Sequence, residues 1–192
     1  MKTAWPTTLF LICSICFASQ QVSSQHRPAD SLQRKLDHIQ QNAKSAKPDR
    51  TPTIMTEEEI NDYFASGRAS LPQGVEKVAF QGQSGVVTTF ATVDFDEIRA
   101  GQNATNPLLT VFTGVHNVRI EADCAGASGK GKVHVRRITL DEVEIPRATL
   151  EFFVYKYVAP QYPNLGLDSE FPMPDKIDLA TVGYQKLTVT QK

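Results

Sequence analysis

The chain has 192 residues, a formal net charge of −1 at pH 7, 41% hydrophobic and 21% charged residues. That near-neutral balance excludes a nucleic-acid binder built on a concentrated basic face. Three cysteines in a chain of this length exclude a disulfide scaffold, so a single domain must be held by its apolar core.

In chain order, Lys2 precedes an apolar run from Leu9 to Phe17, followed by small and polar residues from Ala18 to Gln25. A basic start, an apolar centre and a small-residue exit are the parts of a secretory signal peptide. The run falls short of the roughly 20 apolar residues that span a bilayer. Residues 1–25 are therefore expected to be removed on export, by cleavage after Ala18 or around Ser24, which makes the protein periplasmic or extracellular. Ile15 before Cys16 argues against lipid attachment, where Gly or Ala is required. Cys124 is then the sole cysteine of the mature chain.

Residues 26–53 read as a polar linker punctuated by Pro28, Pro48 and Pro52. Leu32, Leu36, Ile39 and Ala43 recur at helical spacing within it and predict a marginal helix. The folded domain is expected over 54–192. Thr56 and Glu59 form a capping box, Met55 and Ile60 a hydrophobic staple, and Gly67 a left-handed cap, predicting a helix over 57–66. Strand signals follow over 75–80 and 86–95 around a Gly82–Gly85 loop, with Val87, Thr89, Ala91, Val93 and Phe95 on one face. Over 114–124, His116, Val118, Ile120, Ala122 and Cys124 alternate with Asn117, Arg119, Glu121 and Asp123, predicting a strand with one face on a core. The chain turns at Gly126–Gly131 and returns over 133–143, with a bulge expected where the alternation slips at Arg136-Arg137.

Pro146 opens a helix over 147–158, in which Leu150, Phe153, Val154, Tyr157 and Val158 make a stripe. Phe152 and Tyr155 lie off that stripe, so more than half the circumference is apolar. A proline-rich loop leads to a last hairpin over 177–184 and 187–191. The order predicts an α+β fold, a curved antiparallel sheet of hairpins packed on a long amphipathic helix.

No constellation in the sequence supports catalysis. Gly126–Lys132 approaches a phosphate-binding loop, but Val133 replaces the metal-binding hydroxyl, and strands rather than a strand and a helix flank it. His116, Cys124 and His134 lack any zinc spacing, and Asp123 points to the opposite face from Cys124. The acidic groups Asp94, Asp96, Glu97 and Asp141, Glu142, Glu144 read as solvated turn charge rather than a calcium loop or paired carboxylates. Asn103-Ala-Thr105 is a sequon that matters only in a eukaryotic host. Neither an enzyme nor a cofactor is expected.

A series of motifs runs through the domain: Thr56-Glu-Glu-Glu-Ile-Asn61, Leu71-Pro-Gln-Gly-Val75, the return strand from Gly129 to Val135, Val143-Glu-Ile-Pro146, and Lys176-Ile-Asp with Lys186-Leu-Thr-Val189. In these the chain resembles the LmeA-like family of exported bacterial phospholipid-binding proteins, relatives of the tubular (TULIP, SMP-like) lipid-binding domains. The long polar linker and Phe171-Pro-Met-Pro174 depart from that pattern. The resemblance implies a TULIP-like half, with acyl chains held between a curved sheet and a long helix, and lipid binding or shuttling in the cell envelope. Phe80, Phe90, Val93, Val118, Ile120, Leu150, Phe153, Val154 and Tyr157 are the residues expected to line that groove. Lys130, Lys132, Arg136 and Arg137 are expected to meet anionic headgroups in peripheral membrane contact. The same apolar residues equally suit a closed, dry core in a structural or protein-interaction domain, and the sequence leaves the oligomeric state open.

Overall fold

The computed structural model describes residues 27–101, 113–158 and 166–192. The expected signal peptide and the Asn103 sequon lie outside the described residues. The fold is α+β, with nine strands among the described residues joined antiparallel into one sheet.

The first element, α1 (Pro28–Ala43), corrects the expectation of a linker. Proline at its start costs no helical hydrogen bond, and Asp62 supplies the missing cap by accepting from the Ala29 N–H at 2.9 Å. The stripe at Leu32 and Ile39 is buried, packing with Met55 and Val189 and flanked by Leu36, Ile60 and Leu187. A stripe this thin in a polar context reads as marginal because its partners, β1 (Thr53–Thr56) and β9 (Lys186–Gln191), are respectively nearby and at the far end of the chain.

The capping box of α2 (Glu57–Ala65) forms as expected: the Glu59 N–H donates to Thr56 Oγ1 at 3.2 Å, and the Thr56 N–H to Glu59 Oε2 at 2.8 Å. Glu59 also accepts from Lys35 Nζ at 2.6 Å and Ser31 Oγ at 2.5 Å, so the box fastens α1 to α2. Burial alone raises the Glu59 carboxyl, but these donors outweigh it and hold the group below the ordinary carboxylate range.

Beyond α2 come the long hairpins, β2 (Val75–Gln83) with β3 (Val86–Asp94), and β4 (Val115–Ala127) with β5 (Lys130–Leu140). The first hairpin closes on the two residues Ser84-Gly85, tighter than the expected four-residue loop. The second turns at Ser128-Gly129, both at positive φ, a two-residue turn that matches strand twist. The expected bulge is present: Glu121 pairs with Arg137 and Ala122 with Val135, leaving Arg136 unpaired in the ladder. Between the hairpins, α3 (Phe95–Gly101) begins where the strand was expected to end. Asp94 Oδ1 accepts from the Asp96 and Glu97 N–H groups at 2.8 and 3.1 Å, giving that acidic cluster a capping role.

β6 (Val143–Glu144) and β7 (Asp168–Pro172) both pair with β5, and β8 (Ile177–Gly183) forms the last hairpin with β9. Along one edge of β4, β3 gives way to β8 at Ala125–Gly126. Gly126 is required there, since an added Cβ would lie 2.7 Å from Ala180 Cβ and 2.8 Å from Met173 Sδ. On the free edge of β2, Asn61 exchanges two hydrogen bonds with the Phe80 backbone (2.8 and 2.9 Å), and Glu57 accepts from the Gly82 N–H at 2.8 Å. Side chains of α2 thus replace a neighbouring strand and close that edge. The 147–158 helix divides into α4 (Arg147–Phe153) and a π-helical segment (Val154–Val158).

Candidate functional site: the two faces of the long hairpins

Side chains of paired residues share a face, so the register defines two surfaces on β2–β5. Phe80, Thr89, Ile120 and Ile138 lie on one rung, Val78, Ala91, Val118 and Leu140 on the next, and Val93 beside His116 beyond. This is the apolar face. Of its members Val93 and Ala122 are buried, at 8% and 7% exposure. Phe80, Val118, Ile120, Ile138 and Leu140 are only partly buried, so this apolar face is not sealed.

Four expected groove residues, Phe80, Val93, Val118 and Ile120, therefore share one surface. Phe90 does not, which is a correction. It pairs with Ala79 and Arg119, stands 37% exposed on the opposite face, and has the Arg119 guanidinium 5.6 Å from its ring centroid. The alternation that places Val87, Thr89 and Ala91 together already puts position 90 on the other side. Leu150 and Val154 are half-buried on the helix, whereas Phe152 and Tyr155 are exposed at 51% and 80%. The side chains of Phe153 and Tyr157 lie outside the described residues. At its start the helix is tied to the sheet by Arg147, which donates to the Val135 carbonyl at 3.1 Å and pairs with Asp168 at 2.6 Å. Phe80 stacks on Phe64 of α2 with ring centroids 5.0 Å apart.

Each of the expected headgroup-contacting cations has a carboxylate partner. Lys130 and Lys132 both reach Glu170, at 2.9 and 3.0 Å, Arg136 pairs with Asp123 at 2.5 Å, and Arg137 with Glu144 at 3.4 Å. These pairs are solvent-exposed, and such pairs contribute about 0–1 kcal/mol each. Their side chains are therefore free to exchange partners at little cost.

His116 Nδ1 lies 2.5 Å from Asp141 Oδ2, which fixes the β5–β6 turn to β4. The hydrogen bond to Asp141 raises the imidazole above its ordinary value. Cys124 pairs with Val133, and His134 with Asp123, so the thiol and that imidazole belong to opposite faces. Burial pushes the Cys124 thiol up, with the Asp123 charge acting in the same direction, which disfavours the reactive thiolate. Among the described residues no three His, Cys, Asp or Glu side chains converge on a metal-sized site.

Sequence reasoning passed over a broad trough of about 1240 Å³ that runs from the α2–β2 connection to the β5–β6 turn, where Phe64, Leu71 and Phe90 stand among Lys77, Asn117 and Arg119. Comparison with protein-family models, with curated proteins and with solved structures finds no match to this chain.

Proposed function

We propose that the chain is an exported, non-catalytic lipid-binding module of the cell envelope, a TULIP-like half that holds acyl chains against the apolar face of β2–β5. The observation carrying this reading is that Phe80, Val118 and Ile120, central on that face, remain only partly buried. A sheet face closed by protein would bury them, and a continuous apolar surface open to water marks a binding site. Each methylene laid on such a surface contributes about 0.8 kcal/mol, so a partial acyl tail gives useful affinity without polar contacts.

In this reading the 147–158 helix lies over the tail, with Leu150 and Val154 turned toward it. Lys130, Lys132, Arg136 and Arg137 exchange their weak surface pairs for phosphate oxygens at the membrane. Export follows from the signal-like run at Leu9–Phe17.

Native mass spectrometry of the mature protein, purified without detergent and then extracted with organic solvent, tests the proposal. A phospholipid or other acyl-lipid adduct is expected, and it is expected to vanish in Ile120→Asp at unchanged circular dichroism. An apo mass that persists after incubation with phospholipid vesicles overturns the lipid reading. Unfolding of Ile120→Asp together with that apo mass identifies a dry core, leaving a structural or protein-interaction domain.

A further inference from the structure

Backbone N–H and C=O groups of a strand turn to alternate sides, so residues of one parity bond the neighbouring strand and the others face away. Along β2 the outward residues include Phe80 and Gly82, which α2 reaches with side chains. Asn61 accepts from the Phe80 N–H at 2.8 Å and donates to its carbonyl at 2.9 Å, while Glu57 accepts from the Gly82 N–H at 2.8 Å. The Gly82 carbonyl accepts from the Gln185 N–H at 2.9 Å. Both rungs are satisfied, and at Phe80 a side-chain amide supplies the donor and the acceptor that a peptide unit would.

Closure of this edge by α2 stops at Phe80. Val78 pairs with Ala91 in the same phase as Phe80 with Thr89, so its N–H and C=O face the same outer side. No hydrogen bond among the described residues engages either group. Toward the start of β2 the edge closes again: the register shifts between Val75 and Lys77, and the Val75 N–H turns back to the Pro72 carbonyl at 3.0 Å. A single open rung, one donor and one acceptor, is left between two closed ends. Val78 lines the trough together with Phe64, Ala65 and Leu71 from the end of α2 and its connection to β2. Glu76 and Lys77 line it as well, and neither has an ion-pair partner among the described residues.

Unpaired main-chain groups at a sheet edge are a template for another main chain. The closed ends limit its length: outward rungs repeat every second residue, about 7 Å apart, so about three residues fit before the added chain meets Asn61. The residue bonded to Val78 shares the face of the Val78 side chain, which is the apolar face that also carries Phe80, and is therefore favoured to be apolar. Glu76 and Lys77 present one charge of each sign beside the open rung, complementing a ligand with an ammonium and a carboxylate end. We propose that the edge of β2 at Val78 binds a free, extended peptide of about three residues with an apolar central side chain. Its central residue exchanges both backbone hydrogen bonds with Val78, as Asn61 does with Phe80, while Lys77 meets the carboxylate and Glu76 the ammonium. The site does not depend on the lipid reading.

The test is calorimetric titration of the mature protein with the peptides Ala-Val-Ala, Ala-Leu-Ala and Ala-Phe-Ala, alongside amide hydrogen exchange followed by NMR. At least one peptide is expected to bind and to slow exchange of the Val78 amide, whereas the Phe80 amide, already bonded to Asn61, changes little. Methylating the central peptide nitrogen removes the donor to the Val78 carbonyl and is expected to weaken binding about tenfold. Acetylating and amidating the ends is expected to weaken it by about as much. Val78→Pro deletes the protein's own donor at a strand edge, where proline is tolerated, with a similar loss expected. Lys77→Gln, at an exposed position, is expected to lower affinity severalfold and covers the case in which Val78→Pro does not fold. Silence from every peptide overturns the proposal, as does binding that leaves Val78 exchange unchanged or that N-methylation leaves intact. Binding indifferent to blocked ends overturns the assignment of a free peptide.

Discussion

Leu32→Ala distinguishes a helix that belongs to the folded unit from one that merely precedes it. Leu32 is 4% exposed and packs in the cluster with Ile39, Met55 and Val189. Truncation removes the transfer free energy of the lost carbons and leaves a cavity among side chains drawn from α1, β1 and β9, which are held in place by backbone pairing and cannot collapse freely. Buried Leu→Ala changes cost 2–5 kcal/mol, so about 3 kcal/mol is expected here. For a domain of this size that lowers the melting temperature by about 6–12 °C. In a solvated linker helix the same change would be neutral or slightly favourable, because alanine is the better helix former. Thermal and urea denaturation of the mature protein, followed by circular dichroism at 222 nm (the helical band), reads the difference. A melting temperature within about 1 °C of the unchanged protein would refute the integration of α1 into the core.

Other outcomes follow from particular contacts. Gly126→Ala is expected to destabilise by about 1–3 kcal/mol, because Ala180 Cβ belongs to a paired strand and cannot move aside. Gly131→Ala is expected to cost clearly less, since the atoms it meets are the outer ring carbons of the exposed Phe171; equal costs by urea titration would contradict this. The His116–Asp141 pair contributes in a defined window. The raised histidine contribution is complete below the ordinary value of 6.5 and fades as pH rises through the folded-state value. The lowered aspartate contribution is present above the ordinary 3.8 and fades as pH falls through the folded-state value. Asp141→Asn should return the His116 titration, followed by NMR, toward 6.5, and an unmoved titration would show that Asp141 is not the cause. Glu59, held low, stabilises above its ordinary 4.5 and loses that contribution as pH falls, so Glu59→Gln should flatten the acid limb of the stability curve. Cys124 should react slowly with a thiol reagent at pH 7 in the native protein and at the ordinary rate in denaturant. Fast native labelling would contradict its raised, half-buried state.

What the chain alone determined were features set by neighbours in sequence. The capping box at Thr56 and Glu59 needs only residues three apart, and both of its hydrogen bonds are present. The alternation from His116 to Ala122 assigned side chains to faces, and the slip at Arg136-Arg137 located a bulge, because a period of two leaves a visible phase error when a residue is inserted. A turn between Gly126 and Gly131 was legible from its glycines, though pairing of Gly126 with Gly131 and Ala127 with Lys130 narrows it to Ser128-Gly129.

Tertiary structure decided the rest. Whether the stripe of α1 was surface or core depended on Met55 and on Val189, 150 or more residues from Leu32 and Ile39, and no local pattern reports that contact. The short β1, β6 and β7 are strands only because longer strands offer them a free edge, and β7 carries a proline and charged residues that read locally as loop. The basic side chains near the β4–β5 tip looked available in sequence, yet Lys130 and Lys132 share Glu170 and Arg136 pairs with Asp123 across strands. Phe90 was expected in the apolar groove, but register sets it between Ala79 and Arg119 on the opposite face, with the Arg119 guanidinium over its ring. Local chemistry writes caps, turns and faces into short stretches of chain. Burial, pairing and the shape of a binding surface are properties of residues that meet only when the chain folds.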